Sequence, residues 1–216
     1  EEDGVPYATV DELKIYYEFT GPEDAPLILQ FGGSTLGRQN FSAVNDAFRE
    51  QFRLLSYDYT GYGRSDLPVE HYSVEGWADE AAGLLDAVGV ERALLHGTSM
   101  GGMVAIAFAA KHPQKTIAAC ADCAFARCDT YRRTMFRTWR KMAESMPLDD
   151  FSDLLTTQAV SADFIEQNPG IFDNVRTMVA KNAPYTIRQA CLAMETMDLE
   201  ALARTIRRPI LFTNGT

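Results

Sequence analysis

A serine between two glycines is the part of this sequence best suited to chemistry. Ser99 is the centre of the pentapeptide Gly97-Thr98-Ser99-Met100-Gly101. It lies between an apolar run that predicts a buried strand and a segment that predicts a helix. A serine on so sharp a turn presents its hydroxyl as a nucleophile, and small neighbours relieve the crowding. The N-terminus of the helix also directs free N–H groups towards the serine. We therefore predict that Ser99 is the attacking residue of an acyl-transfer enzyme.

Acyl transfer also needs hydrogen-bond donors for the oxyanion that forms in the transition state. The N–H of Met100, directly after the nucleophile, is the first candidate. The second should come from the loop Phe31-Gly32-Gly33-Ser34, where glycine permits a close backbone approach to a ligand. We favour the N–H of Gly33, with Ser34 next as an oxyanion or substrate contact. An ordinary tight turn is the alternative interpretation of this loop.

Strands and helices that alternate along the chain must position these groups. Period-two alternation predicts a β-hairpin over residues 5–19, and short apolar runs predict buried strands over 26–31, 52–57, 93–96, 116–124 and 208–213. Helical spacing predicts helices over 41–52, 73–88, with Ser73 as the N-cap, and 101–111. This order predicts an α/β fold, with a mostly parallel, doubly wound sheet and an N-terminal antiparallel hairpin.

The chain divides into three segments on this pattern. Residues 1–126 form the α/β core, residues 127–205 carry helical signals only, and residues 206–216 return to the core. The middle segment therefore reads as a helical insertion. Its aromatic residues Trp139 and Phe136, together with Phe31 of the core, are candidates for an apolar substrate pocket. Simple packing between the insertion and the core explains each of them equally well.

The four cysteines predict no metal site and no disulfide. Cys120 and Cys123 have the C-x-x-C spacing that occurs in metal and redox sites. Within the predicted strand 116–124, however, an odd spacing places them on opposite faces. We therefore expect buried thiols in a reducing compartment, a cytoplasmic location, no metal and no cofactor.

The composition limits the class of partner. The chain has 216 residues and a formal net charge of −10, so it repels phosphate backbones and anionic membranes. Its apolar runs are shorter than the ~20 residues that span a bilayer, and residues 1–4 lack the features of a signal peptide. We expect a small-molecule substrate, with no nucleic-acid or membrane partner. The sequence leaves the oligomeric state open.

Three motifs make the chain resemble a known superfamily. Residues 57–66 (YDYTGYGRSD), 96–102 (HGTSMGG) and 208–215 (RPILFTNG) resemble the α/β-hydrolases that carry a helical cap, and residues 72–113 most resemble 3-oxoadipate enol-lactonases. The resemblance implies that Ser99 occupies a nucleophile elbow and that residues 127–205 form the cap. It also implies a cofactor-independent hydrolase that cleaves a carboxylic ester or lactone through a Ser-His-Asp triad.

Two positions depart from the pattern of the superfamily. Phe31 stands where these proteins usually have His before the oxyanion glycine. Thr60 stands where they usually have Arg in the loop after the fourth strand. We expect the first change to alter local hydrogen bonding and the second to alter surface salt bridges.

The rest of the triad is expected beyond Thr216. The superfamily order is Ser, acid, His, so the acid, the His, the last strand and the last helix should all follow the end of this sequence. His71, His96 and His112 are poorly placed to act as the base. Asp122 is a weak candidate for the acid, because some relatives use a carboxylate at the end of that strand.

Two other functions fit the same motifs. A lyase or a cofactor-free oxygenation enzyme would use the same serine and histidine as acid–base groups. A relative without catalytic activity would bind a small molecule under the cap.

Overall fold

A single sheet forms the centre of the molecule. The computed structural model describes residues 6–67 and 72–215, so Val5 and His71 lie outside the described residues. The sheet strands in this part of the chain are β1 (Tyr7–Val10), β2 (Leu13–Thr20), β3 (Leu27–Phe31), β4 (Arg53–Tyr57), β5 (Ala93–Thr98), β6 (Thr116–Asp122) and β7 (Ile210–Thr213). Their spatial order is β1-β2-β4-β3-β5-β6-β7.

The sheet is antiparallel at its N-terminal edge and parallel elsewhere. β1 pairs with β2, and β2 with β4, in antiparallel fashion, which confirms the predicted hairpin. The pairs β3–β4, β3–β5, β5–β6 and β6–β7 are parallel. All five residues of β3 are buried, as expected for an apolar strand covered on both faces. The carboxyl ends of the parallel strands therefore meet at one edge of the sheet.

Helices α1 (Asn45–Phe48), α2 (Val74–Ala87) and α3 (Met100–Lys111) belong to the core. The Ser73 hydroxyl accepts a hydrogen bond of 2.9 Å from the N–H of Gly76, which confirms the predicted cap of α2. The helix expected over residues 41–52 is much shorter, because only α1 and a 3-10 turn at Arg38–Phe41 form there. Val44, at the N-cap of α1, has no side-chain acceptor for the free N–H groups.

The segment between β6 and β7 is helical. It contains α4 (Thr130–Ser145), α5 (Leu148–Ala159), α6 (Ala162–Gln167), α7 (Ile171–Val179), α8 (Pro184–Thr196) and α9 (Glu200–Ala203). A second apolar cluster, separate from the main core, holds these helices together through Ala143, Phe151, Val179 and Ile187. Among the described residues, no helix combines the length and apolar character required to cross a membrane.

Glu80 links α2 to the loop after β4. The N–H of Thr60 lies 3.2 Å from both oxygens of the Glu80 carboxylate. Thr60 is buried, so the expectation that its departure from Arg alters surface salt bridges is wrong. In residues 6–67 and 72–215 the Glu80 carboxylate forms no salt bridge. Burial raises the pKa of Glu80 to about 7, although hydrogen bonds from Thr60 oppose the shift.

The raised pKa predicts a pH-dependent effect of the substitution Glu80→Gln. A carboxyl whose pKa is higher in the folded state contributes stability below its unfolded pKa of about 4.5, and this contribution is lost as the pH rises through about 7. The amide that replaces the carboxyl in E80Q does not titrate. Between pH 4.5 and pH 8, the free energy of unfolding of E80Q should therefore rise by about 3 kcal/mol relative to the unsubstituted protein.

Urea denaturation at the two pH values measures this change. The control is Glu50→Gln, because Glu50 is exposed and its replacement should leave the difference near zero at both values. If the free energy of unfolding of E80Q relative to the unsubstituted protein does not vary with pH, the raised pKa of Glu80 is contradicted.

Candidate active site

Ser99 occupies a strained turn between β5 and α3. Its backbone has φ 57° and ψ −120°, a conformation that costs free energy in any residue other than glycine. Its N–H donates to the carbonyl oxygen of Asp122 at 2.8 Å, and its own carbonyl accepts from the N–H groups of Gly102 and Met103 at 3.0 and 3.2 Å. The backbone thus fixes the turn from both sides. Within the described residues, no side-chain hydrogen bond engages the Ser99 hydroxyl.

The two glycines that flank the serine allow this turn to exist. A Cβ on Gly101 would lie 1.8 Å from the carbonyl oxygen of Phe31, and a Cβ on Gly97 would lie 2.1 Å from the carbonyl oxygen of Gly101. Both distances are far shorter than any real contact of a Cβ atom. Side chains are therefore excluded at both positions, and the spacing Gly-x-Ser-x-Gly has the mechanical role that the sequence predicts.

The predicted oxyanion loop lies beside the turn. A Cβ on Gly33 would come within 3.6 Å of the Thr98 carbonyl oxygen, directly before the nucleophile. Met100 is the first residue of α3, so its N–H has no partner within the helix. The N–H of Gly33 donates to Asn40 Oδ1 at 3.1 Å. Asn40 is a site residue that the sequence analysis missed, because nothing in its local sequence marks a contact seven residues away.

Two buried tyrosines donate hydrogen bonds to backbone carbonyls of the same loop. The hydroxyl of Tyr59 donates to the carbonyl of Gly32 at 3.0 Å, and that of Tyr62 donates to the carbonyl of Ser34 at 2.9 Å. Burial raises the pKa of both tyrosines well above the usual value, so both remain protonated donors. Residues 57–66 served in the sequence-based prediction only as a motif of the resembled superfamily, so these contacts were not predicted.

The three residues predicted to line a pocket have different environments. Phe31 is fully buried in the core and packs against Tyr57 and Phe108. Phe136 is 3% exposed and belongs to the same core cluster. Both are core residues rather than pocket residues, because neighbouring core side chains cover almost all of their surface. Trp139, in contrast, lines a cavity of about 540 Å³ between α4 and α5.

Asp122, the weak candidate for the triad acid, contacts His96, but among the described residues neither side chain forms a hydrogen bond with the Ser99 hydroxyl. Its Oδ2 lies 2.7 Å from Nε2 of His96. Its Oδ1 accepts from the Thr213 hydroxyl and from the Cys120 thiol. Burial raises the pKa of Asp122, but these hydrogen bonds outweigh it and hold the pKa below the usual value. The carboxylate joins the ends of β5, β6 and β7.

The donor atoms of His96, Cys120 and Asp122 lie within 4.8 Å of one another. Nitrogen, sulfur and oxygen donors of this kind can hold zinc, although hydrogen bonds already join them here. The partner of Cys120 is thus not Cys123, which follows β6 and is exposed, contrary to the expected buried strand position. The absence of a metal and of a cofactor stays a prediction. His112 lies at the far end of α3 and contacts Asp79 at 2.8 Å.

The fold has counterparts in known proteins. A family model described as alpha/beta hydrolase fold matches residues 26–215. The crystal structure of an enol-lactonase from Burkholderia xenovorans superimposes with a TM-score of 0.89 at 25% sequence identity. That superposition covers 98% of this chain and 81% of the other.

Two curated relatives are similar in sequence, one over most of this chain and one over about half of it. The 3-oxoadipate enol-lactonase 1 of Acinetobacter baylyi is 24% identical over 205 residues, which cover 92% of this chain and 73% of the relative. The bifunctional esterase/perhydrolase DCH of Acinetobacter calcoaceticus is 32% identical over 111 residues, which cover 51% of this chain. The chain spans 40% of the length of that esterase.

The contacts of Tyr62 predict the effect of the substitution Tyr62→Phe. This change leaves the buried carbonyl of Ser34 without its donor, and an unpaired buried polar group costs about 1–3 kcal/mol. Urea denaturation should show a loss of that size in the free energy of unfolding. Tyr7→Phe is the control, because Tyr7 is 43% exposed and its replacement should change little. Equal stability of the two variants would contradict the role of Tyr62.

Proposed function

Because the chain belongs to the alpha/beta hydrolase fold family, we propose that it hydrolyses a small carboxylic ester or lactone through an acyl-enzyme on Ser99. One observation carries the proposal. The strained Ser99 turn lies directly against the Gly32–Gly33 loop, so that a nucleophile and two backbone N–H groups share one end of the sheet. The names of the enol-lactonase and esterase relatives support the substrate class.

The first half-reaction follows from this geometry. Ser99 Oγ attacks the carbonyl carbon of the substrate while a general base takes the hydroxyl proton. The carbonyl oxygen becomes an oxyanion, which the N–H groups of Met100 and Gly33 stabilise. The substrate oxygen takes the place of Asn40 Oδ1 on the Gly33 N–H. Collapse of the tetrahedral intermediate returns the proton to the leaving alcohol and leaves the acyl group on Ser99.

Water completes the cycle. The same base removes a proton from a water molecule, whose oxygen attacks the acyl carbon. Collapse of this second tetrahedral intermediate breaks the bond to Ser99 Oγ, releases the carboxylic acid and returns the proton from the base to Ser99. His96 pairs with Asp122 and His112 with Asp79, and neither His forms a hydrogen bond with the Ser99 hydroxyl in the described part of the chain. We therefore place the base and its orienting acid outside the described residues. Ser34, whose carbonyl Tyr62 holds, is a substrate contact at the edge of the loop.

The helical segment 127–205 forms the cap of the proposed enzyme, between core segments 1–126 and 206–216. Its cavity of about 540 Å³ is lined by Tyr131, Met135 and Trp139. Leu155 and Gln158 also line it, and we propose that it accepts the acyl or leaving group of a small ester. The four cysteines are free thiols, which supports a reducing, cytoplasmic location for the proposed enzyme.

A fluorophosphonate probe tests the nucleophile. The probe should label the full-length protein on Ser99, and Ser99→Ala should abolish labelling. The matched control is Ser145→Ala, since Ser145 is an exposed serine at the end of α4 and its loss should leave labelling unchanged. A correctly folded protein that the probe does not label would exclude the serine-hydrolase proposal and favour a binding protein or a lyase.

The substitution Trp139→Ala tests the cap. Removal of the ring takes apolar surface from the cavity, so KM for p-nitrophenyl hexanoate should rise roughly five- to tenfold, while KM for p-nitrophenyl acetate changes little. Steady-state kinetics of both esters measure the difference. Tyr131→Phe keeps a ring in the same cavity and is the control. An equal change for the two esters would argue against an acyl site at Trp139.

A further inference from the structure

Three side chains that can ligate a metal ion lie together on one face of the sheet. His96 of β5 pairs with Cys120 of β6 in the parallel register, and Asp122 lies two residues further along β6. Because side chains alternate between the two faces of a strand, Cys120 and Asp122 point to the same face. Nε2 of His96, Sγ of Cys120 and a carboxylate oxygen of Asp122 lie within 4.8 Å of one another. The proposed hydrolysis uses none of these side chains.

The spacing of these donor atoms suits one small cation. Nε2 of His96 lies 2.7 Å from Oδ2 of Asp122, and Sγ of Cys120 lies 3.3 Å from Oδ1 of the same carboxylate. Ligand atoms at about 2.0–2.3 Å from a tetrahedral zinc ion are roughly 3.3–3.8 Å apart. The imidazole and the carboxylate therefore need to separate by only about 0.6 Å for one ion to replace the hydrogen bond between them.

The types of donor favour zinc. A thiolate is a soft ligand that selects zinc, and an imidazole also suits zinc, whereas Mg²⁺ and Ca²⁺ take oxygen ligands. Three protein ligands leave the fourth position of a tetrahedral zinc ion to water. The hydroxyl of Thr213 donates to Oδ1 of Asp122, so a group outside the ligand set orients the carboxylate, as is usual in metal sites.

The cluster is accessible from one side of the sheet. The side chains of His96 and Asp122 keep 15% and 23% of their surface exposed, and Cys120 is half-buried. A cavity of about 300 Å³, whose walls include Phe48 and Leu211, reaches both His96 and Cys120. An ion and its water ligand can therefore enter the site from this cavity.

Binding of a cation must displace the proton of the Cys120 thiol. Burial and the hydrogen bond to Asp122 raise the pKa of Cys120 to about 11, so the thiol on its own stays protonated. A divalent cation reverses this preference, because it stabilises the thiolate directly. The proton leaves to solvent, and the bond between sulfur and the metal takes the place of the S–H bond.

We propose that His96, Cys120 and Asp122 bind one zinc ion. The ion joins the ends of β5 and β6, where the backbone carbonyl of Asp122 accepts from the N–H of Ser99 at 2.8 Å. Its role is structural, because it stabilises one support of the Ser99 turn and takes no part in the proposed acyl transfer. The prediction of no metal rests on Cys120 with Cys123, and zinc bound to this different set of ligands would show it to be wrong.

Titration of the reduced, full-length protein with ZnCl₂ tests the proposal. The protein carries no affinity tag, and isothermal calorimetry at constant ionic strength should show one saturable zinc site per chain. MgCl₂ is the matched salt, because nonspecific attraction to a chain with a net charge of −10 would bind it as well. Magnesium should bind far more weakly, since it prefers oxygen ligands. No saturable zinc site, or equal binding of the two cations, would overturn the proposal.

Two cysteine variants locate the site. Cys120→Ser should weaken zinc binding at least about tenfold, because loss of even an outer partner of a metal ligand has an effect of that size. Cys123→Ser is the matched control, since Cys123 is exposed, follows the end of β6 and is not one of the three donors. Its replacement should leave the affinity unchanged.

Cobalt(II) in place of zinc reports the sulfur ligand directly. The unsubstituted protein and C123S should show the near-ultraviolet charge-transfer absorption of a thiolate bound to cobalt, and C120S should lack it. Full zinc affinity in C120S, or the same loss in both variants, would overturn the proposal. None of these outcomes depends on the Ser99 hydroxyl, so they stand apart from the test of the proposed hydrolysis.

Discussion

Close packing of three backbone segments at the end of β5 determines the geometry of the candidate active site. The carbonyl of Phe31 closes on Gly101, and the carbonyl of Gly101 closes on Gly97, at distances that exclude any Cβ atom. This contact forces Ser99 into its left-handed turn and brings the Gly32–Gly33 loop beside it. The positions of the proposed nucleophile and of its proposed oxyanion donors are therefore consequences of one packing constraint, and the parallel sheet provides the rigid strands that maintain it.

The loop after β4 stabilises this arrangement on two sides. Towards the candidate site, the hydroxyls of Tyr59 and Tyr62 donate to the carbonyls of the proposed oxyanion loop. Towards α2, the N–H of Thr60 holds the buried carboxylate of Glu80. A short glycine-rich loop thus supports the Gly32–Ser34 segment on one side and anchors α2 on the other.

Sequence reasoning predicted the parts of the structure that depend on local spacing. The strand order along the chain, the Ser73 cap and the turn at Ser99 follow from periodicity and from glycine positions a few residues apart. It did not predict contacts between residues that are far apart in the sequence. The hydrogen bonds of Asn40 and Tyr62 join segments that only the fold brings together. Phe31 is a predicted pocket residue, yet its side chain is fully buried against Tyr57 and Phe108, which are distant in sequence.

The most direct test of the central claim is to trap the acyl-enzyme. Full-length protein is mixed with p-nitrophenyl acetate, quenched in acid within the first turnover and digested with trypsin, and the peptides are weighed by mass spectrometry. Cleavage after Arg92 and Lys111 releases the peptide 93–111, which contains Ser99. The account predicts one acetyl group on this peptide, at Ser99, that disappears as turnover is completed. Hydrolysis of the ester with the acetyl group on another residue, or on none, would contradict it.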